Sequence, residues 1–135
     1  MTDDSVREAR EQTVRQHFAA EDQLDFDAAL ATFERPRYEL IGTDTVHDGP
    51  DEVEQYYRQL HEAFPDQSYE IISLRHADDA VIAEFWLAGT AKGGQEKPGR
   101  AFKARMMAFF IFEGTGLVCE RVYFDAGTIA RQVSG

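Results

Sequence analysis

The spacing of apolar positions changes about halfway along the chain. In the first half it is helical. Val6, Val14 and Phe18 share one broad face of residues 3–21, set among Glu, Arg and Gln. Phe26, Ala29, Leu30 and Phe33 follow the i, i+3, i+4, i+7 pattern just after Asp25, an N-cap residue. Arg35-Pro36 stops this second helix, because proline disfavours helical backbone in the residue before it. A short strand is expected over 37–41, with a turn at Gly42-Thr43-Asp44. Gly49-Pro50 then opens a third helix, with Asp51 and Glu52 at the positive end of its dipole and Val53, Tyr56, Tyr57, Leu60 and Phe64 as its buried stripe. From Gln67 the period becomes two. Four long strands are predicted at 68–76, 80–90, 101–113 and 117–125, separated by Asp78-Asp79, a glycine-rich stretch from Gly93 to Gly99, and Gly114-Thr115-Gly116. A closing helix is expected at 126–133. Helices followed by an antiparallel meander predict an α+β class: a cone-shaped curved sheet packed against three N-terminal helices, with an apolar pocket between the layers.

Composition narrows this further. A length of 135 residues suits one domain, 1–135, and 43% hydrophobic residues with 10 Phe, 5 Tyr and 1 Trp can fill its interior. A net charge of −11 argues against binding nucleic acid or an anionic membrane surface. No apolar run approaches the roughly 20 residues that span a bilayer, and the start, Met1-Thr2-Asp3-Asp4, is acidic, unlike a secretory leader. The single Cys119 has no internal partner for a disulfide. A cytoplasmic location is therefore expected. The dense carboxylate surface fits a high-salt cytoplasm and an ordinary acidic protein equally well. The four histidines fall on separate elements without i, i+4 pairing, and Gly93-Gly94 and Pro98-Gly99 lack the context of a phosphate loop, so no metal and no cofactor are expected.

The element order resembles the nuclear transport factor 2-like fold shared with ketosteroid isomerase. Within it, Gly49-Pro50 opening the third helix, Ala63-Phe64-Pro65-Asp66 closing it, and Tyr123-Phe124-Asp125 followed by Arg131-Gln132 resemble the SnoaL-like polyketide cyclases. Gly89-Thr90 and Pro98-Gly99-Arg100 match as well, so the resemblance covers about residues 10–133. It implies a cofactor-free acid/base on a small hydrophobic carbonyl compound, by aldol cyclisation or isomerisation, and a homodimer. In that family the aspartate ending the last long strand is the acid/base, which implies this role for Asp125. The same residue serves equally as N-cap of the closing helix.

Arg121, Tyr123 and Asp125 share one face of the last strand. The resemblance puts that face in the pocket, with Tyr123 and Arg121 orienting the substrate carbonyl. Apolar alternation instead turns Val118, Val122 and Phe124 inward. His17 is a lesser candidate at the pocket mouth, or simply a packed histidine, and His47 is weaker still. On the third long strand Phe102, Ala104, Met106, Ala108, Phe110 and Phe112 share a face that reads as pocket wall. Phe102, Met106, Ala108 and Phe110, with Phe85 and Tyr57, are the expected substrate contacts. The opposite parity carries Met107, Phe109 and Ile111, and with Trp86 it forms an apolar outer face suited to dimerisation. Steroid-type isomerisation is disfavoured, since the positions matching its oxyanion aspartate and its base hold Ala108 and Ile41. Epoxide hydrolysis is disfavoured too, since Arg105-Met106-Met107 lacks the second carboxylate. The scarcity of polar groups in the expected pocket also supports a different class, a non-catalytic small-molecule-binding or dimerisation module.

Overall fold

The change of period separates the three N-terminal helices from the four long strands. A computed structural model describes residues 3–93 and 99–134. Residues 94–98, which carry Gly94 and Pro98 of the glycine-rich turn, lie outside the described residues, as do Met1 and Thr2. Helices α1 (Asp4–Asp22), α2 (Phe26–Ala31) and α3 (Pro50–Ala63) form one layer, against strands β1 (Arg37–Leu40), β2 (Thr45–Asp48), β3 (Ser68–His76), β4 (Ala80–Ala91), β5 (Arg100–Glu113) and β6 (Gly116–Tyr123). A single 3₁₀ turn, Ile41–Thr43, joins β1 to β2, and α4 (Ala126–Val133) closes the chain. The expected α+β architecture of a sheet covered by helices is present.

Two features of the sheet go beyond the expected meander. Its order is β2-β1-β6-β5-β4-β3, so the early hairpin β1–β2 docks on the last strand, with β1 parallel to β6. Strand β2, the second arm of the hairpin around the Gly42-Thr43-Asp44 turn, forms because residues 45–48 pair back onto β1. The second feature is a register shift where β5 meets β6: Ile111 pairs Cys119 but Phe112 pairs Leu117, leaving Val118 as an extra residue. Beyond that bulge Glu120 stands beside Phe110 on β5 and Tyr38 on β1.

The inner face of β5 is the predicted one: Phe102, Ala104, Met106, Ala108, Phe110 and Phe112 are all buried. Helix α1 covers them with a stripe of Arg10, Val14, His17, Phe18 and Glu21, three of whose five members are polar or charged. Helix α3 begins at Gly49, whose φ of +95° only glycine adopts without strain, with Pro50 in the first turn. Two of the sequence motifs meet at its end. Asp66 accepts hydrogen bonds from the Thr90 backbone N–H (2.7 Å) and hydroxyl (2.8 Å), fixing the end of α3 to β4. Gln132 clamps α4 to β5 by accepting from Lys103 N (2.7 Å) and donating to Lys103 O (3.0 Å). Among the described residues no helix is long and apolar enough to cross a membrane.

Candidate functional site

Between the layers lies a cavity of about 220 Å³. Its walls are largely apolar, with Phe85 and Leu87 from β4, Met106 from β5, Tyr56, Leu60 and Phe64 at and beyond α3, and Ile129 from α4. Strand β6 contributes Glu120 and Val122, with Phe124 just beyond it, and Glu21 comes from α1. Glu21, Glu120, Tyr38 and Thr43 thus line a space otherwise built from apolar and aromatic side chains.

The carboxyl groups belong to a buried polar cluster. His17 is 0% exposed, Glu120 3% and Glu21 4%. His17 and Glu21 lie at i, i+4 on α1, so both point into the same gap. Sheet register brings Tyr38 and Glu120 side by side from β1 and β6, and α3 supplies Tyr57. The Tyr38 and Tyr57 hydroxyls are 2.8 Å apart, and Tyr38 donates to Glu21 Oε1 at 3.1 Å.

The hydrogen bonds reveal where the protons sit. Thr32 donates its hydroxyl proton to Ala29 O (2.6 Å), so it accepts from His17 Nδ1 (2.8 Å). The other ring nitrogen, Nε2, is 2.7 Å from the Tyr38 oxygen, 2.9 Å from Glu120 Oε1 and 3.3 Å from Glu21 Oε2. With the Tyr38 proton given to Glu21, all three are acceptors, and Nε2 carries a proton as well. His17 is an imidazolium. Burial opposes that charge, but the Glu21 carboxylate and the ion pair with Glu120 override it and push His17 up to about 10. Burial raises the Glu120 carboxyl above the usual range, against the pull of His17. Burial likewise raises the Tyr38 and Tyr57 hydroxyls, which stay neutral donors. Glu120 Oε1 is held by its 2.9 Å ion pair with the His17 imidazolium, off the ideal hydrogen-bond direction.

Among the described residues, His17, Glu21 and Glu120 are also the group whose donor atoms, all within 4.8 Å of one another, are near enough to share a metal ion. The proton on Nε2 occupies the lone pair that such an ion needs.

The expected catalytic trio lies elsewhere. Asp125, Tyr123 and Arg121 are on the far side of the last strand, because Glu120, Val122 and Phe124 hold the inward parity. Asp125 is an N-cap. Its side chain, 67% exposed, accepts from Gly127 N (3.1 Å), Thr128 Oγ1 (2.8 Å) and Arg131 (3.3 Å), and the Thr128 hydroxyl leads in holding it below the usual carboxylate range. Arg121 donates to Glu39 at 2.6 Å, and Tyr123 packs its ring edge-on to Phe109. His17 joins the cluster behind the cavity, in contact with Glu120 rather than Asp125. His47 stacks on Tyr56, with ring centres 4.9 Å apart.

Of the expected substrate contacts, Phe85 and Met106 line the cavity. Phe102 is buried against Phe64 (4.5 Å), Phe110 against His17 (5.5 Å), Ala108 lies in the core, and Tyr57 reaches the cavity only through Tyr38. Sequence reasoning missed Glu21, Tyr38 and Glu120. The signals were present. Glu21 continues the buried Val14–Phe18 stripe one turn on, and Glu120 shares the parity of Val122 and Phe124.

Residues 14–121 match the SnoaL-like domain family. No curated protein matches the chain by sequence. Solved structures match it in fold. A protein assigned to the SnoaL-like polyketide cyclases from Jannaschia sp. CCS1 is 15% identical over 100% of this chain and 98% of its own, with a TM-score of 0.85. A nuclear transport factor 2-like protein of unknown function from Burkholderia pseudomallei K96243 is 19% identical over 94% and 98%, at 0.82. A nuclear transport factor 2-like protein from Burkholderia thailandensis E264 is 22% identical over 92% and 96%, at 0.78.

Proposed function

The chain belongs to the SnoaL-like domain family, and we propose that it takes a small hydrophobic carbonyl compound into the cavity and moves a proton on it with Glu120 as acid/base and no cofactor. One observation carries this reading: a carboxyl group only 3% exposed lines a largely apolar cavity, backed by a buried imidazolium at 2.9 Å. Burial brings the proton affinity of such a group toward that of its working range, as proton transfer at carbon requires.

In its ionised form Glu120 removes the proton from the carbon next to the carbonyl. The C–H pair becomes the enolate. In a ring closure the enolate carbon attacks a second carbonyl, and Glu120 returns the proton to the new alkoxide. In an isomerisation the proton returns to a different carbon. Either way the enzyme ends in its starting state. His17 acts as a positioning residue, since its fixed positive charge balances the carboxylate during the half-cycle in which Glu120 is ionised. Glu21, Tyr38, Tyr57 and Thr32 hold that charge in place.

The outer face of the sheet supports a homodimer. Met107 and Tyr123 are exposed there next to Phe109, a hydrophobic surface set among ion pairs. The free thiol of Cys119, buried and pushed up to about 11 by that burial, fits a reducing cytoplasm. A second reading, a binding module without turnover, draws on the same apolar lining.

The test is Glu120→Gln beside Asp125→Asn, on a panel of cyclic and open-chain diketones. Glu120→Gln is expected to lower turnover about 10²- to 10⁴-fold with affinity largely kept, while Asp125→Asn keeps activity. Full activity in Glu120→Gln overturns the assignment. Ligand binding with no turnover of any diketone by the wild-type chain favours the binding module.

A further inference from the structure

The cavity's charge pattern speaks to what kind of molecule it accepts. Among the described residues that line it there is no Lys, Arg or His. Six of the fifteen are aromatic, and the two carboxylic acids among them are Glu21 and Glu120. The positive charge of the buried cluster, His17, is itself fully buried against Glu21, Tyr38 and Glu120. A ligand therefore meets the negative faces of ring systems and two carboxyl groups served by a single imidazolium. Such walls repel anions, and they attract organic cations, whose charge is held by ring quadrupoles when desolvated. The rings of Tyr56, Phe64, Tyr69 and Phe85 all line the same space as Glu120. Glu120, one of the lining residues, offers a carboxylate as partner to an ammonium group.

From this we infer that the molecule taken by the cavity carries a protonated amine, seated against Glu120 and the aromatic walls. The inference rests on the reading of the cavity as the substrate site and names the class of that substrate: an amine-bearing carbonyl compound of low polarity. It also explains how one group serves two states. In the empty cavity burial shifts Glu120 toward its protonated form. A cation seated beside it favours the ionised form, the form a base requires, so the substrate's own charge readies the group that acts on it.

The experiment is a three-probe titration by calorimetry at pH 7 with cyclohexylammonium, cyclohexanone and cyclohexanecarboxylate, which share one ring and differ in charge. The wild-type chain is expected to bind the ammonium at least tenfold more tightly than the ketone, and the carboxylate least. Glu120→Gln should weaken the ammonium about tenfold and leave the ketone within twofold. Phe64→Leu, which removes a ring rather than a charge, should weaken the ammonium two- to tenfold and the ketone less. The wild-type series stands whether or not either variant folds. A ketone that binds as tightly as the ammonium overturns this inference and leaves the carbonyl-binding reading intact. Equal weakening of both ligands by Glu120→Gln also overturns it. No binding by any of the three overturns both this inference and the cavity as the ligand site.

Discussion

The two faces of β6 carry similar side chains and treat them in opposite ways. On the inner face Glu120 is sealed between β1 and β5, against a histidine that shares its burial. On the outer face Arg121 is paired with Glu39 at 2.6 Å and Arg37 with the same carboxylate at 3.0 Å, all partly open to water. The pKa shifts follow the faces. Burial raises Glu120, whereas the Arg121 guanidinium leads in lowering Glu39. Water screens the outer pairs and leaves them little net worth. On the inner face desolvation is severe, and each group exists only because the others are there. The lesson is that a charged residue on a strand signals chemistry by its parity, not by its type.

This contrast has measurable consequences. The largest is expected from His17→Ala, which leaves Glu21 and Glu120 buried without their cation. Removing one member of a buried ion pair costs about 3–5 kcal/mol, read as a lower midpoint in urea unfolding. Arg121→Ala on the other face should cost well under half as much. Equal losses would erase the distinction between the faces.

Next comes the dependence of stability on pH. His17 is raised from 6.5 to about 10, so its contribution is complete below pH 6.5 and is lost as pH rises toward 10. Glu120, also raised, adds in the same sense from 4.5 upward. Glu39 and Asp125 are lowered, so their contributions are present above the ordinary carboxylate range and are lost as pH falls. Thermal unfolding should therefore show a decline between pH 7 and 9 that His17→Gln reduces, and an acid limb that it leaves unchanged. An alkaline decline of the same size in His17→Gln would mean that the imidazolium is not its source.

The smallest effect on folding is expected from Met107→Lys on the outer face, within about 0.5 kcal/mol. Its effect on assembly is larger. The wild-type chain should sediment at twice its mass and the variant as a single chain. A wild-type chain that remains single at tens of micromolar removes the dimer from the reading.

Much of this molecule follows from local spacing. The order of helices and strands, the inner face of β5, the proline-initiated α3 and the capping capacity of Asp125 are all legible because each depends on a few consecutive residues. Apolar alternation also turned Val122 and Phe124 inward, in agreement with the structure, while the family resemblance pointed to the opposite face. Two things were decided only by tertiary structure. One is the parallel docking of β1 on β6, a contact between residues some eighty apart, for which no local period carries a signal. The other is the bulge at Val118, which sets Glu120 against Tyr38 and Phe110. Together they bring His17, Glu21, Tyr38 and Glu120 from three separate elements into one dry volume. Sequence determines that these residues are polar. Whether a polar group becomes a surface charge or a buried acid depends on the water around it, and packing alone removes that water.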